Sequence, residues 1–138
     1  QMCKETDFTL AYCHIGTSPD GGATYALPRT VGVKQAMEIA LLGDRFDATR
    51  ALELGLINRV VPVVELEGAT IKLAARLAKG PTAVYGRTKN LINQSLNRTL
   101  PEQLQAEQDN FVASALDADF SEGIRAFVEK RKPNFLGH

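Results

Sequence analysis

The residues best suited to chemistry lie between positions 12 and 21. Pro19-Asp20-Gly21 places a carboxylate among turn-forming residues, shortly after Tyr12 and His14. A carboxylate can take a proton from one carbon of a substrate and return it to another, so Asp20 is a candidate acid/base group. Pro-Asp-Gly is also an ordinary turn sequence, in which the aspartate bonds its own backbone. Judged by residue type alone, the turn is the favoured interpretation.

Tyr12 and His14 are weaker candidates. A phenol has an ordinary pKa of about 10, which makes it a poor base near neutral pH. If residues 8–15 form a strand, Tyr12 and His14 share one face of it, where they could line a substrate pocket or pack in the core. Packing is the favoured interpretation of His14.

The composition excludes several classes of function. Sixteen Lys and Arg balance sixteen Asp and Glu, so no overall field would steer the chain to nucleic acid or to an anionic membrane. Cys3 and Cys13 lack the spacing of a zinc site or a disulfide framework. No apolar run has the length of a membrane span. We therefore expect a soluble cytoplasmic protein without a metal, and without nucleic acid or membrane as a partner.

The pattern of the first half predicts a strand, a loop and two helices. Residues 8–15 are β-compatible and end in turn formers, which indicates a strand opening into a loop. Apolar residues recur at helical spacing over 33–41, and Gly43 suits the left-handed turn after a helix. Asp47 can cap a further short helix that ends near Gly55.

The second half is predicted to be helical after one short strand at residues 56–62. Gly80-Pro81 stops one helix and starts the next. Thr99–Glu102 and Asp119–Glu122 both have capping-box spacing, so helices should start at each. The first of these should run to about residue 116, and the second should be stopped by Pro133. Two apolar stripes are expected on these helices: Leu66, Ala69, Leu73 and Leu77, and then Ile124, Phe127 and Val128.

One or two isolated strands leave their backbone donors and acceptors unpaired, which is unusual for a complete domain. We therefore expect most of the partner strands, and the start of the protein, to lie outside these residues.

Several segments together resemble a known family. They are Gly16–Gly32, Ala36–Arg45, Gly55–Pro62, Lys89 and Glu122–Phe135. The chain is similar, from about Phe8 to its end, to the C-terminal half of proteins of the enoyl-CoA hydratase/isomerase (crotonase) superfamily.

The resemblance implies an α/β fold with a ββα spiral core. Residues 1–63 would be the last part of that core with the active-site loop, and residues 64–138 a helical trimerisation region, so the chain would be mostly α with one or two short strands. The implied substrate is an acyl-CoA thioester, and coenzyme A is part of it, so no separate cofactor is expected. The implied assembly is a homotrimer or a dimer of trimers.

The resemblance also implies site residues. Family hydratases carry a glutamate at the position of Tyr12, whereas several isomerase-like members place an acidic residue in the loop, as Asp20 is placed here. Asp20 is thus the implied catalytic residue, with Tyr12, Pro19 and Gly21 lining the substrate.

Coenzyme A would be bound near the other end of the chain, by Phe127 and Lys130. Lys130 to Lys132 also follow a helix whose negative end attracts cations, and both roles can hold at once. Arg87 and Lys89 are weaker candidates, since a charged helix face is usually a solvated one.

The leading hypothesis is acyl-CoA double-bond isomerisation with Asp20 as acid/base and an oxyanion hole upstream of the matched segments. Without that hole, this chain alone should be inactive. The alternatives are enoyl-CoA hydration proper, dehalogenase-like acyl-CoA hydrolysis with Asp20 as nucleophile, and a non-catalytic assembly module.

Overall fold

Helices make up most of the chain, and the computed structural model describes residues 2–138 of it. Two compact units follow one another, the first up to Ile71 and the second from Lys72 onward. The division at residue 63, between a spiral core and an assembly region, stays a prediction.

The first unit combines very short strands with helices. Its elements are β1 Met2–Cys3, β2 Asp7–Phe8, a 3-10 helix Ala11–Ile15, α1 Ala23–Val31, α2 Val33–Leu42, β3 Phe46–Asp47, α3 Ala48–Glu53, β4 Val60–Val61 and the start of α4 Val63–Ala78. Strand β1 pairs in parallel with β4, and β2 pairs antiparallel with β3. The rings of Phe8 and Phe46 stack across the second pair with centroids 5.6 Å apart.

The C-terminus of α2 and the N-terminus of α3 confirm the predicted caps. Helix α2 ends at Gly43, whose φ of 67° is the left-handed conformation that glycine adopts without cost. The side chain of Asp47 accepts a hydrogen bond of 2.8 Å from the Arg50 amide and so caps α3.

The predicted strand over residues 8–15 is wrong. Only Phe8 joins a sheet, and Ala11–Ile15 winds into a 3-10 helix instead. The reason is a close packing that the local sequence does not reveal. A Cβ placed on Gly43 would lie 2.6 Å from Sγ of Cys13 and 2.8 Å from Nε2 of His14, so any larger residue would force these side chains to shift. Tyr12 and His14 therefore do not share the face of a strand.

The predicted number of strands is also wrong. Within residues 2–138 four strands of two residues each replace the one or two expected, and only Val60–Val61 of the segment 56–62 is paired. The strands find short partners inside the chain, because β1 and β4 and also β2 and β3 pair with each other.

The second unit consists of helices. After the end of α4 they are α5 Thr82–Ser95, α6 Leu100–Ala115 and α7 Ala118–Val128. The predicted capping box at the start of α6 is confirmed, since the backbone amide of Thr99 donates to Oε2 of Glu102 over 2.7 Å. These bonds from Thr99 lower the pKa of Glu102.

The predicted limits of the last helix are wrong at both ends. Asp117 is the N-cap of α7, and Asp119 lies in its first turn. The Asp119 carboxylate is buried at 3% exposure and accepts hydrogen bonds from the amides of Leu136 (2.7 Å) and Gly137 (2.8 Å). It is therefore unavailable as a cap, and it fastens the tail to α7. The helix ends at Val128, well before Pro133.

Many large apolar side chains on these helices are exposed. Val64 is 87% exposed and Leu116 is 85% exposed. Exposed apolar side chains favour association, and the assembly role of residues 64–138 stays a prediction. None of the helices within residues 2–138 is long and apolar enough to cross a membrane.

We expect Gly43→Ala to destabilise the protein more than Gly55→Ala does. Both glycines have positive φ, 67° and 74°, so each alanine should cost about 1–2 kcal/mol of backbone strain. At Gly55 a Cβ would meet nothing within 4 Å, whereas at Gly43 it would collide with Cys13 and His14. The collision should add about 1–3 kcal/mol, measured as the free energy of unfolding in denaturant. Equal losses in the two variants would contradict the packing role of Gly43.

Candidate functional site

Tyr12 and Asp20 form a side-chain hydrogen bond. The Tyr12 hydroxyl donates to Oδ1 of Asp20 over 2.5 Å, across eight residues of sequence. This length is typical of a hydroxyl that donates to an ionised carboxylate. The predicted acid/base candidate and the residue at the hydratase glutamate position are thus brought into direct contact.

The loop between them is shaped by glycines. Gly16 ends the 3-10 helix in the left-handed conformation, with φ of 71°, and the amide of Thr17 donates to the carbonyl of Tyr12 over 3.2 Å. Gly21 and Gly22 also have positive φ and lead into α1. The chain therefore reverses between Tyr12 and Asp20, which brings the phenol to the carboxylate.

Asp20 also takes part in a backbone turn, because its carbonyl accepts a hydrogen bond of 3.1 Å from the amide of Ala23. The turn and the contact with Tyr12 coexist, since one uses the main chain of Asp20 and the other its side chain. The turn at Pro19-Asp20-Gly21 therefore does not use the carboxylate of Asp20, which remains available for another role.

The carboxylate also changes the acidity of the phenol. The hydrogen bond to Asp20 and the nearby negative charge raise the pKa of Tyr12 above its ordinary value. Tyr12 is therefore a protonated hydrogen-bond donor at neutral pH, and it cannot serve as a base there.

The other residues predicted near the substrate are found on the same stretch of chain. Pro19 is half-buried and Gly21 is exposed, with φ of 61°. The Nε2–H of His14 donates to the carbonyl of Leu42, with 3.3 Å between nitrogen and oxygen. His14 thus contacts the end of α2, but it is exposed and does not pack in the core as predicted.

Two apolar cavities adjoin the start of α1. Their volumes are about 250 Å³ and about 240 Å³, and Leu10, Ala23 and Leu27 line both of them. Ala23 follows Asp20 by only three residues. Both cavities thus reach the first residue of α1, whose amide bonds the carbonyl of Asp20, and their lining suits an apolar group.

Phe127 and Lys130 lie in the second unit, at the end of α7. Phe127 is 84% exposed and Lys130 is also exposed. Lys130 has φ of 54°, and within residues 2–138 it is the one non-glycine residue with positive φ. The amide of Lys130 donates to the carbonyl of Phe127 over 3.2 Å, and the amide of Arg131 donates to the carbonyl of Ala126 over 3.0 Å. These two bonds form a Schellman motif, which commonly ends a helix. Glycine is usual at the position of Lys130, so this lysine holds a backbone conformation that a side chain makes less favourable.

Arg131 is engaged within the protein. It forms ion pairs with Glu122, at 2.6 Å, and with Glu129, also at 2.6 Å. Oε1 of Glu122 also accepts a hydrogen bond of 2.9 Å from the amide of Asn134. The hydrogen bond from the Arg131 side chain, and to a lesser degree the one from the Asn134 amide, lower the pKa of Glu122 far below its ordinary range. Among the three basic residues 130–132, Arg131 therefore has a structural role.

Arg87 is likewise engaged. It forms an ion pair with Asp117, and its Nη1 donates to Oγ of Ser114 over 3.1 Å. The hydrogen bond from Arg87 lowers the pKa of Asp117. Arg87 thus links α5 to the N-cap of α7, while Lys89, on the same helix, is exposed.

The sequence predicts Tyr12 in a substrate pocket or in the core, and it does not predict the bond from Tyr12 to Asp20. The available signal was the pair of glycines at positions 16 and 21, which allows a reversal between the two residues. Across residues 2–138, no three Cys, His, Asp or Glu side chains are grouped as a metal site would need.

Comparison with known proteins identifies the family. Residues 2–138 match the family described as "Enoyl-CoA hydratase/isomerase". The chain belongs to this family. It is 39% identical over 134 residues to the 1,2-epoxyphenylacetyl-CoA isomerase of Escherichia coli, covering 97% of this chain and 51% of the relative. It is 39% identical over 132 residues to the mitochondrial enoyl-CoA hydratase of Pongo abelii, covering 96% of this chain and 46% of the relative.

A solved structure gives the same result for the fold. A crystal structure of an enoyl-CoA hydratase subunit from Geobacillus kaustophilus superposes with a TM-score of 0.94 at 34% identity, covering 99% of this chain and 53% of that one. The predicted fold class, part of a crotonase fold that is mostly helical with short strands, is confirmed. The chain spans about half the length of the relatives it matches.

We expect Asp20→Asn to lower the pKa of Tyr12 toward its ordinary value. The substitution removes the negative charge and the anionic acceptor that hold the proton on the phenol. The measurement is the ultraviolet absorbance of tyrosinate during alkaline titration of the folded protein. Tyr12→Phe is the control, because only the signals of Tyr25 and Tyr85 remain in that variant. If Asp20→Asn leaves the tyrosinate titration unchanged, the two side chains do not interact in solution.

Proposed function

We propose that the complete protein containing this chain is an acyl-CoA double-bond isomerase in which Asp20 moves the proton. The observation that carries the proposal is the Tyr12–Asp20 contact. A carboxylate lies in the loop, and a phenol that keeps its proton occupies the position of the hydratase glutamate. One carboxylate suffices for isomerisation, whereas water addition by the usual glutamate pair requires a carboxylate at the position that Tyr12 occupies.

In the proposed reaction, Asp20 takes a proton from the carbon next to the thioester carbonyl of a 3-enoyl-CoA. Electrons of the broken C–H bond pass into a dienolate, whose oxygen needs hydrogen-bond donors. Asp20 then returns the proton two carbons along, and the double bond comes into conjugation with the carbonyl as a 2-enoyl-CoA. We expect the donors for the dienolate oxygen in the half of the relatives that this chain does not cover.

The substrate would be recognised in two parts. The apolar cavities at Leu10, Ala23 and Leu27 suit the acyl chain, and both reach the first residue of α1, whose amide bonds the carbonyl of Asp20. Phe127 offers an exposed ring to the adenine of coenzyme A, and Lys130 offers its ammonium group to a phosphate. Because coenzyme A arrives as part of the substrate, no separate cofactor is proposed.

The exposed apolar helix faces support a proposed homotrimer or dimer of trimers. We also propose a cytoplasmic enzyme without metal, nucleic-acid or membrane partners. The balanced charge favours neither nucleic acid nor an anionic membrane, and the cysteines lack metal-ligand spacing.

We expect Asp20→Asn to reduce isomerase activity of the complete protein by about 10²- to 10⁴-fold, the usual contribution of a general acid/base. The measurement follows conversion of 3-enoyl-CoA to 2-enoyl-CoA by the ultraviolet absorbance of the conjugated thioester. The matched control is Asp44→Asn, an exposed aspartate at the end of α2. Undiminished activity in Asp20→Asn would remove Asp20 from the mechanism, and hydration of 2-enoyl-CoA without isomerisation would favour a hydratase.

We expect Lys130→Gly to raise stability and weaken substrate binding together. Glycine removes the strain of positive φ, a gain of about 1 kcal/mol or less. Loss of a charge-assisted bond to phosphate should raise KM roughly tenfold. Thermal unfolding and steady-state kinetics measure the two effects.

Lys130→Arg is the control for this pair of effects, since it keeps both the charge and the strain. An unchanged KM in Lys130→Gly, in a protein that is active and more stable, would rule out a phosphate-binding role for Lys130.

A further inference from the structure

We propose that Tyr12 is a positioning residue of the reaction. It binds Oδ1 of Asp20 so that Oδ2 alone faces the substrate and carries the proton between the two carbons. This inference rests on the proposed function of Asp20 and adds a role for a residue beside it.

Tyr12 is fixed more firmly than Asp20. On one side of it, the Thr9 hydroxyl donates to the carbonyl of Gly43 over 3.0 Å. On the other side, Cys13 and His14 pack against Gly43 with no room for a side chain there. The 3-10 helix that carries Tyr12 is therefore fastened to the end of α2 from both directions.

Asp20 lies on the less constrained side of the contact. It is exposed, and its loop runs from Gly16 to Gly22 with positive φ at three glycines. The turn bond from the Ala23 amide fixes its main chain but leaves its side-chain torsions free. The hydrogen bond from Tyr12 therefore selects one orientation of the carboxylate.

This orientation assigns separate tasks to the two oxygens. Oδ1 accepts a hydrogen bond from the Tyr12 hydroxyl throughout, and Tyr12 keeps its proton because the carboxylate raises its pKa. Oδ2 is left to accept the proton from the first carbon and return it to the second. Since the donor is neutral in every step, the positioning bond persists while Asp20 changes its protonation state.

Positioning of this kind affects the chemical step more than binding. Misplacement of a catalytic group by about 1 Å can cost about 10²-fold in rate, even when the substrate is still held. The phenol contributes to that placement through Asp20, so its effect should disappear when Asp20 is replaced.

The experiment measures kcat and KM for 3-enoyl-CoA with the complete protein and four variants: Tyr12→Phe, Asp20→Asn, the double variant, and Tyr25→Phe as the matched control. Tyr25 is an exposed tyrosine on α1, outside the contact. Tyr12→Phe should lower kcat about 10- to 100-fold and change KM less than about threefold. Adding Tyr12→Phe to Asp20→Asn should lower kcat no further, because both act through the same carboxylate.

The outcomes separate this inference from the proposed function. If Asp20→Asn is inactive while Tyr12→Phe keeps its full kcat, Tyr12 has no positioning role and the function stands. The same conclusion follows if the two substitutions multiply in the double variant, since they would then act independently. If Asp20→Asn keeps full activity, the proposed function fails and the role of Tyr12 fails with it. Thermal unfolding of each variant identifies any loss of kcat caused by unfolding.

Discussion

The candidate site depends on the absence of a side chain at Gly43. The bare backbone at this position lets Cys13 and His14 approach the end of α2, and the left-handed turn there is one that glycine adopts freely. The close approach holds the 3-10 helix, the helix presents Tyr12, and Tyr12 orients Asp20. A residue more than twenty positions from the carboxylate thus belongs to the packing that holds its hydrogen-bond donor.

The parts of the fold that follow from local chemistry could be predicted from the sequence. Gly43 ends α2, Asp47 caps α3, and Thr99 with Glu102 starts α6. In each case the deciding groups lie within four residues of one another, so short-range spacing contains the information. The separation of α4 and α5 at Gly80-Pro81 was predictable for the same reason.

The remaining features depend on groups that are distant in sequence. Residues 8–15 have the composition of a strand, and the contact with Gly43 makes part of them a 3-10 helix. Asp119 has the spacing of an N-cap, yet the amides of Leu136 and Gly137 engage its carboxylate and Asp117 takes the cap position. The bond between Tyr12 and Asp20 follows from a chain reversal that sequence spacing allows but does not require.

The tail that follows α7 has a structural role, because the Asp119 carboxylate binds it. Leu136 and Gly137 supply the two amides that a buried carboxylate needs, and a buried charge without such partners is costly. A frameshift or nonsense mutation that removes these two residues would leave Asp119 uncompensated inside its helix. The stability of α7 therefore depends on two residues that lie beyond the helix, in the tail.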